Sequence, residues 1–349
     1  MTRDATVLPH RSAQIESEQA GMIAAFECGE MRKLMTPAKR VSTHLSHVFL
    51  SNTRAFKLKR AVRLSFVDFS GIERRRAACE AELVLNRPMA GSLYETVLPV
   101  TRGCDHRYGI DGAGEIVDWV VVMRRFDEAQ QFDRLAGRGV LRPALVERLV
   151  ERIASFHASR PPSADAGHVG DYRVLLGNLG QAEGKLAPFA RARSAASLTS
   201  RLHAELSEVG QAIERRRQQG RVRLGHGDLH LRNICMFNGA PTPFDALEFD
   251  ERLATTDVLY DLAFLLMDLR RVGLEACAGA AEHRYWQAAG EDAEATQLLP
   301  FFMATRAAVR MAIAAENGDM AAAVSYRAHG MEMLRSSANA VVDSARAFA

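Results

Sequence analysis

The residue pair that most restricts how this chain can fold is Asn238-Gly239, set between the short runs 234–237 and 240–245. Asn-Gly supplies the two left-handed positions of a tight turn, which predicts a two-residue β-hairpin. In that hairpin Phe237 stands opposite Ala240, Cys235 opposite Thr242 and Asn233 opposite Phe244. Asn233 and Asp245 then emerge together at the open end. Pro241 and Pro243 share one parity, so their missing N–H groups point away from this partner strand and the pairing survives them.

The hairpin is preceded by His226-Gly227-Asp228-Leu229-His230-Leu231-Arg232-Asn233, in which Asp228 lies five residues before Asn233. Taken singly, Asp228 reads as a turn starter and Asn233 as a strand cap. Together with Asp245 they match what phosphoryl transfer requires. That reaction is mostly positioning and charge neutralisation. Magnesium is a hard cation that takes oxygen ligands, which the Asn233 amide and the Asp245 carboxylate supply. Asp228 has the spacing of a kinase catalytic loop and would orient or deprotonate the attacking hydroxyl. A second chemistry is also open: His226, Asp228 and His230 form an H-x-D-x-H run, which suits a zinc-dependent hydrolase. In the kinase reading His226 orients the loop through hydrogen bonds. Asp257 and Asp261 follow, four residues apart. Asp261 sits among apolar residues, and a buried carboxylate has to be paired or hydrogen-bonded. It is expected to accept backbone N–H groups, a scaffold role.

Around this stretch the chain changes character once. Residues 17–35 read as an amphipathic helix, and 47–50 and 55–62 as strands joined by a turn at 51–54. Residues 69–87 read as a helix with Ser70 as N-cap, Glu73 three positions on and Pro88 just past the end. Residues 98–101 and 116–123 read as further strands. Past Arg124 the pattern turns helical: 143–159 carries Leu145, Leu149, Ile153 and Phe156 on one stripe, 195–219 is a long charged helix, and nearly everything from 258 is helical. The fold class is α+β, a small β-rich part with one main helix followed by a larger, mostly helical part.

With 349 residues, 48% of them apolar, the chain can bury a large core. A net charge of +3 argues against a nucleic-acid partner. The five cysteines include no C-x-x-C pair, which fits free thiols in a reducing compartment. No signal peptide is seen, and the greasy run 259–269 is broken by Asp261 and Asp268. The expectation is a cytoplasmic protein with no membrane partner. Only five of the 45 basic residues are lysine, yet Lys57 and Lys59 stand two apart on one predicted strand.

The motif at 226–233, Asp245 and the run Asp261-Leu262-Ala263 resemble the aminoglycoside phosphotransferase and choline kinase-like branch of the kinase-like superfamily. More narrowly, residues 43–46, 56–59 and 244–249 resemble a bacterial group called aminoglycoside phosphotransferase family enzymes. The resemblance implies a bilobal protein-kinase-like fold: an N-terminal helical extension over 1–39, an N-lobe over 40–125 and a helical C-lobe over 126–349 carrying the catalytic loop and metal site. It implies a nucleotide-binding lysine two positions after a small residue. Lys57 fits, with Lys59 as the alternative. The partner glutamate would be Glu82, or else Glu80, and the adenine edge would meet backbone at a hinge over 123–126, beginning at Met123. The activity implied is transfer of the γ-phosphoryl of ATP or GTP to a hydroxyl of a small-molecule acceptor with Mg2+. A non-catalytic nucleotide- or metabolite-binding module of the same fold is the alternative.

The chain also departs from the family pattern. No glycine-rich loop occurs between 40 and 55; the polar run 42–46 stands where phosphates would be covered. Ala246 and Leu247 follow Asp245, no Ala-Pro-Glu follows, and no G-x-x-x-x-G-K-S/T of a second kinase type occurs. Glu248, Asp250 and Glu251 form either a solvated acidic loop or the lining of a cleft for a cationic acceptor, and Glu248 is also a candidate to help the metal site.

Overall fold

A computed structural model describes residues 9–34, 36–64, 67–186 and 197–347. Positions 35, 195 and 196 of the expected helices lie outside the described residues. The chain forms two compact units, Met1–Glu128 with Pro243–Asp250, and Ala129–Thr242 with Glu251–Ala349. Residues 243–250, which the sequence pattern groups with the helical part, are thus packed with the β-rich part.

The first unit is built from α1 (Pro9–Cys28), β1 (Lys39–Ser42), β2 (Ser46–Leu50), β3 (Arg54–Lys59), α2 (Ile72–Ala90), β4 (Tyr94–Arg102), β5 (Tyr108–Ile110) and β6 (Glu115–Arg124). The strands form one antiparallel sheet in the order β1-β2-β3-β6-β4-β5. Strand alternation divides β3 between two environments. Phe56 pairs with Val122 and Leu58 with Val120, and all four enter a core with Phe49, Val100 and Ile110. Lys57, opposite Val121, and Lys59 take the other face.

Helix α1 closes the apolar face. Met22, Ala25 and Phe26 are buried there, and Phe26 stacks on Phe49 with ring centroids 4.1 Å apart. The segment expected as an extension is therefore a wall of the core. It ends at Cys28, earlier than its periodicity suggests, because Gly29 adopts φ +75° beneath Pro37. A Cβ at Gly29 would lie 2.7 Å from the Pro37 nitrogen.

Helix α2 packs on β6 and β4 and also departs from its expected ends. Ser70 does not cap it, because its backbone N–H and hydroxyl both donate to Asp68 Oδ1, at 3.0 and 2.6 Å. Gly71 takes the cap position, and Pro88 lies inside the last turn instead of beyond it. Beneath α2, Arg75 donates from Nε to Asp118 at 2.9 Å, and Gln19 of α1 donates to the same carboxylate at 2.7 Å.

The second unit comprises α3 (Phe132–Gly137), α4 (Pro143–Ser159), α5 (Val169–Gly184), α6 (Leu198–Gln218), β7 (Val222–Leu224), β8 (Ile234–Phe237), β9 (Ala240–Pro243), α7 (Glu251–Ala254), β10 (Thr255–Asp257), α8 (Val258–Arg271), α9 (Glu275–Ala289), α10 (Ala293–Glu316) and α11 (Met320–Ala347). The Asn238-Gly239 turn has φ +50° and +75°, the paired left-handed conformation that its sequence favours, and β8 pairs with β9. β7 pairs antiparallel with β10, Thr255 opposite Leu224. These short ribbons hold residues 225–233 beside α8.

Helix α8 is buried along twelve of its fourteen residues, and α10 packs on α11, α8, α5 and α6. By length and composition α10 is apolar enough to cross a membrane, but 72% of its most apolar window is buried inside the structure. Such a helix serves as the core strut of the unit. Its N-cap is Asp292, whose side chain accepts the Ala295 N–H at 3.1 Å. Asp292→Ala is expected to cost about 1 kcal/mol in chemical denaturation, the usual value of a lost cap.

Candidate active site

In the first unit the lysine face of β3 meets α2 and residues 243–250. Lys57 Nζ donates to Glu82 Oε1 at 2.8 Å and pairs with Asp245. Lys59 Nζ pairs with Glu82 Oε2 and with Glu248. One fully buried glutamate is thus shared between two lysines, and each lysine reaches a second carboxylate. Burial alone would raise the Glu82 carboxyl; Lys57 and Lys59 outweigh it and hold it down to about 2. Burial likewise opposes the charge on Lys57, but Asp245, Glu82 and Glu248 keep its pKa well above the ordinary lysine value. Glu80 is elsewhere, paired with Arg76 on the exposed side of α2 at 2.9 Å.

Asp245 has φ +62°, a left-handed conformation that is costly for a residue with a Cβ. Two side chains fix it. Tyr94 Oη accepts the Asp245 N–H at 3.0 Å, and Asn86 Oδ1 accepts the Ala246 N–H at 3.0 Å. Tyr94 Oη in turn donates to Glu82 Oε1 at 3.3 Å, and Asn86 Nδ2 donates to the Glu82 carbonyl at 2.8 Å. Met123 lies near the end of β6, buried opposite Ala55 and Tyr94. The polar run 42–46 closes on itself, with the Thr43 N–H donating to the Ser46 carbonyl at 2.8 Å.

Of the acidic residues after Asp245, Glu248 is neither part of a solvated loop nor free to line a cleft. Glu248 is spent on Lys59, and its side chain is only 7% exposed. It therefore offers no carboxylate to a cationic acceptor.

In the second unit, Asp228 and Asn233 face each other across their loop. Asn233 Nδ2 donates to the Asp228 carbonyl at 3.0 Å and to its Oδ2 at 2.9 Å. This fixes the amide so that its Oδ1 is the atom left to accept or to ligate. His226 Nδ1 accepts the Asp228 N–H at 3.4 Å, and His230 Nε2 lies 3.4 Å from Asp228 Oδ2. Burial raises the Asp228 carboxyl, but His230, Arg310 and His226 together hold it well below the ordinary carboxylate range. It is ionised at neutral pH.

Asp261 supports this loop from below. Its two oxygens accept the His226 and Gly227 N–H groups, each at 2.8 Å. His157 Nε2 lies 3.0 Å from Oδ2, and His157 Nδ1 bonds Tyr285 Oη at 2.8 Å. The approach is so close that a Cβ on Gly225 would lie 2.7 Å from Asp261 Oδ2. Arg306 donates to the Gly227 carbonyl at 3.2 Å, and its guanidinium carbon lies over Tyr260, 3.8 Å from the ring centroid.

Several supports escaped the sequence reading. Asp268, two turns along α8 from Asp261, accepts the Leu231 N–H at 3.1 Å. Its signal was available as a second acid on the same face of an apolar helix. His157 was equally visible as a polar residue on the apolar stripe of α4. Tyr94, Asn86 and Gln19 left no such sign.

Asp245 in the first unit offers carboxylate oxygens and Asn233 in the second an amide oxygen, each the kind of ligand that a hard cation takes. Among the described residues no three His, Cys, Asp or Glu side chains converge as a metal-binding group. The H-x-D-x-H run at 226–230 does not form such a group among the described residues.

The chain is 28% identical over 286 residues to the uncharacterized protein Rv2004c of Mycobacterium tuberculosis, covering 77% of this chain and 53% of that one. The chain thus spans about half the length of the curated relatives it matches. Its structure resembles a choline/ethanolamine kinase family protein from Mesorhizobium loti, with TM-score 0.54, 14% identity and coverage of 91% and 95% of the two chains. It also resembles APH(2")-IIia in complex with GDP and kanamycin, with TM-score 0.50, 14% identity and coverage of 91% and 97%. At such identities the likeness carries the fold, which is α+β and protein-kinase-like. The model of the phosphotransferase enzyme family, APH, matches residues 98–297, more than half of the sequence, and the chain belongs to that family.

Proposed function

We propose that this chain is a small-molecule kinase that transfers the γ-phosphoryl group of ATP or GTP to a hydroxyl of a small acceptor, with Mg2+ as cofactor. The observation that carries this reading is the loop 226–233. In it an ionised Asp228 and an amide-locked Asn233 are held by backbone bonds to Asp261 and Asp268. Such preorganisation is what phosphoryl transfer asks of a protein.

Lys57, braced by Glu82, holds the nucleotide phosphates, exchanging its contact with Asp245 for phosphoryl oxygens. Asn233 and Asp245 would hold magnesium, which would supply neutralising charge to the phosphates. Asp228 accepts a hydrogen bond from the acceptor hydroxyl and aims its oxygen at the γ-phosphorus. As the new P–O bond forms, the bond to the β–γ bridging oxygen breaks, the nucleoside diphosphate leaves, and the hydroxyl proton passes to Asp228.

Thermal-shift titration of the purified protein with ATP and GTP, each with and without magnesium, tests this directly. A magnesium-dependent rise with one nucleotide is expected, and it identifies the donor for acceptor screening by product formation. The absence of any shift at millimolar nucleotide would favour a non-catalytic member of the fold. Asp245→Ala is expected to abolish the magnesium-dependent part of the rise. If the variant keeps the wild-type response to magnesium, Asp245 is not a ligand.

A further inference from the structure

We infer that Lys59 and Glu248 form a buried ionic latch that holds residues 243–250 on the sheet and so positions Asp245, leaving Lys57 alone to meet the nucleotide. The inference rests on the kinase reading for its functional half and on geometry for the rest.

The two lysines of β3 are not equivalent. The Lys57 side chain is 10% exposed and faces Asp245, whose own side chain is 40% exposed. The Lys59 side chain is 0% exposed and lies between Glu82 and Glu248. For Lys59 to reach a phosphate it would have to abandon two carboxylates in a buried setting, which is strongly unfavourable. Lys59 is therefore a fixed part of the frame. Burial works against its charge, yet Glu248 and Glu82 hold its pKa above the ordinary lysine value, so the pair stays ionised.

The latch acts where the chain needs holding. Asp245 carries a left-handed backbone that persists only when its surroundings determine it. Tyr94 and Asn86 fix the N–H groups of Asp245 and Ala246, at the bend itself. Glu248, three residues on, fixes the chain after it. Phe249 adds an apolar contact against Val67, Phe69 and Ala78, and the Lys59 ammonium lies 5.9 Å from the Phe69 ring centroid. Asp245 is thus pinned at the bend and beyond it. The shared carboxylate of Glu82 makes the two lysines one device: Lys59 holds the glutamate in place while Lys57 trades Asp245 for a ligand.

The test uses Glu248→Gln, which keeps the shape and removes the charge, Lys59→Met, and the double variant. Two readouts are taken on the full chain. The first is hydrogen exchange of nucleotide-free protein, read on peptides covering 243–250. Exchange there should accelerate in each variant while the second unit is unchanged. The second is the magnesium concentration giving half-maximal nucleotide binding. It should rise about ten- to hundredfold, as when a residue supporting a metal ligand is lost. The double variant should lose no more than the worse single variant, as for two members of one pair.

Unchanged exchange over 243–250 in both single variants would overturn the latch. Faster exchange with wild-type magnesium dependence would overturn its role in positioning Asp245. A wild-type protein that binds no magnesium nucleotide would sink the kinase reading, while the exchange experiment would still decide the latch.

Discussion

Asp228→Ala is expected to lower turnover about a hundred- to ten-thousandfold, the range for loss of a positioned general base. Magnesium-nucleotide affinity should stay near that of the wild type. The separation follows from the loop itself. Asn233 Nδ2 donates both to the Asp228 side chain and to its backbone carbonyl, at 2.9 and 3.0 Å. The alanine variant keeps the second bond, so the amide oxygen stays aimed as before. His226 and Gly227 also keep their hold on Asp261. Only the carboxylate proposed to meet the acceptor is gone. Product formation and calorimetric nucleotide binding, measured on the same preparation, check this. Wild-type turnover would remove Asp228 from the chemistry. A parallel fall in nucleotide affinity would make it a scaffold residue instead.

Asp261→Ala should destabilise the protein by about 3–5 kcal/mol, the usual cost of breaking a buried charged pair from one side. The alanine removes the Asp261 acceptor from the His226 and Gly227 N–H groups and strips His157 of one partner. Burial raises the Asp261 carboxyl, but His157, His226 and Arg306 outweigh it and hold the pKa below the ordinary aspartate value. A depressed carboxylate stabilises the fold above its unfolded pKa, about 3.9. That contribution is lost as pH falls through the folded value. The gap between variant and wild type should therefore be full at neutral pH and narrow in acid below about pH 4. Urea unfolding midpoints across pH measure it. A difference under about 1 kcal/mol at pH 7 would mean the loop finds other acceptors.

What could be read from the chain and what could not divide by whether a residue's own element or a competitor outside it decides its partner. The Asn238-Gly239 turn is legible because its chemistry lies within two residues. Helix α4 is legible because Pro143 opens it and its apolar stripe runs to its end. The ends of α1 and α2 were missed because each is decided by an outside competitor. Pro37 crowds Gly29, and Asp68 takes both donors of Ser70. The spacing of Asp228, Asn233 and Asp245 is written in the sequence, and so is the fact that Asp261 must find partners. The braces are not. Tyr94 and Asn86 act on a bend about 150 residues away, and Lys59 reaches Glu248 across 189 positions. No periodicity or turn rule links residues at such separations, so a run of acids read as a solvated loop or cleft lining proved to hold a buried anchor.

The alternation along β3 has a practical consequence. Phe56 and Leu58 belong to the apolar core, while Lys57 and Lys59 belong to the charged cluster on the opposite face. A strand that slips by one residue exchanges its two faces. Such a slip would drive two ammonium groups into the apolar core and set a phenylalanine and a leucine against the buried Glu82 carboxylate, removing stability and the placement of the lysines in one step. A stable, misregistered yet inert population is thereby denied to this protein. On the proposed reading, the number of nucleotide-binding sites per natively folded molecule should stay constant as a preparation ages.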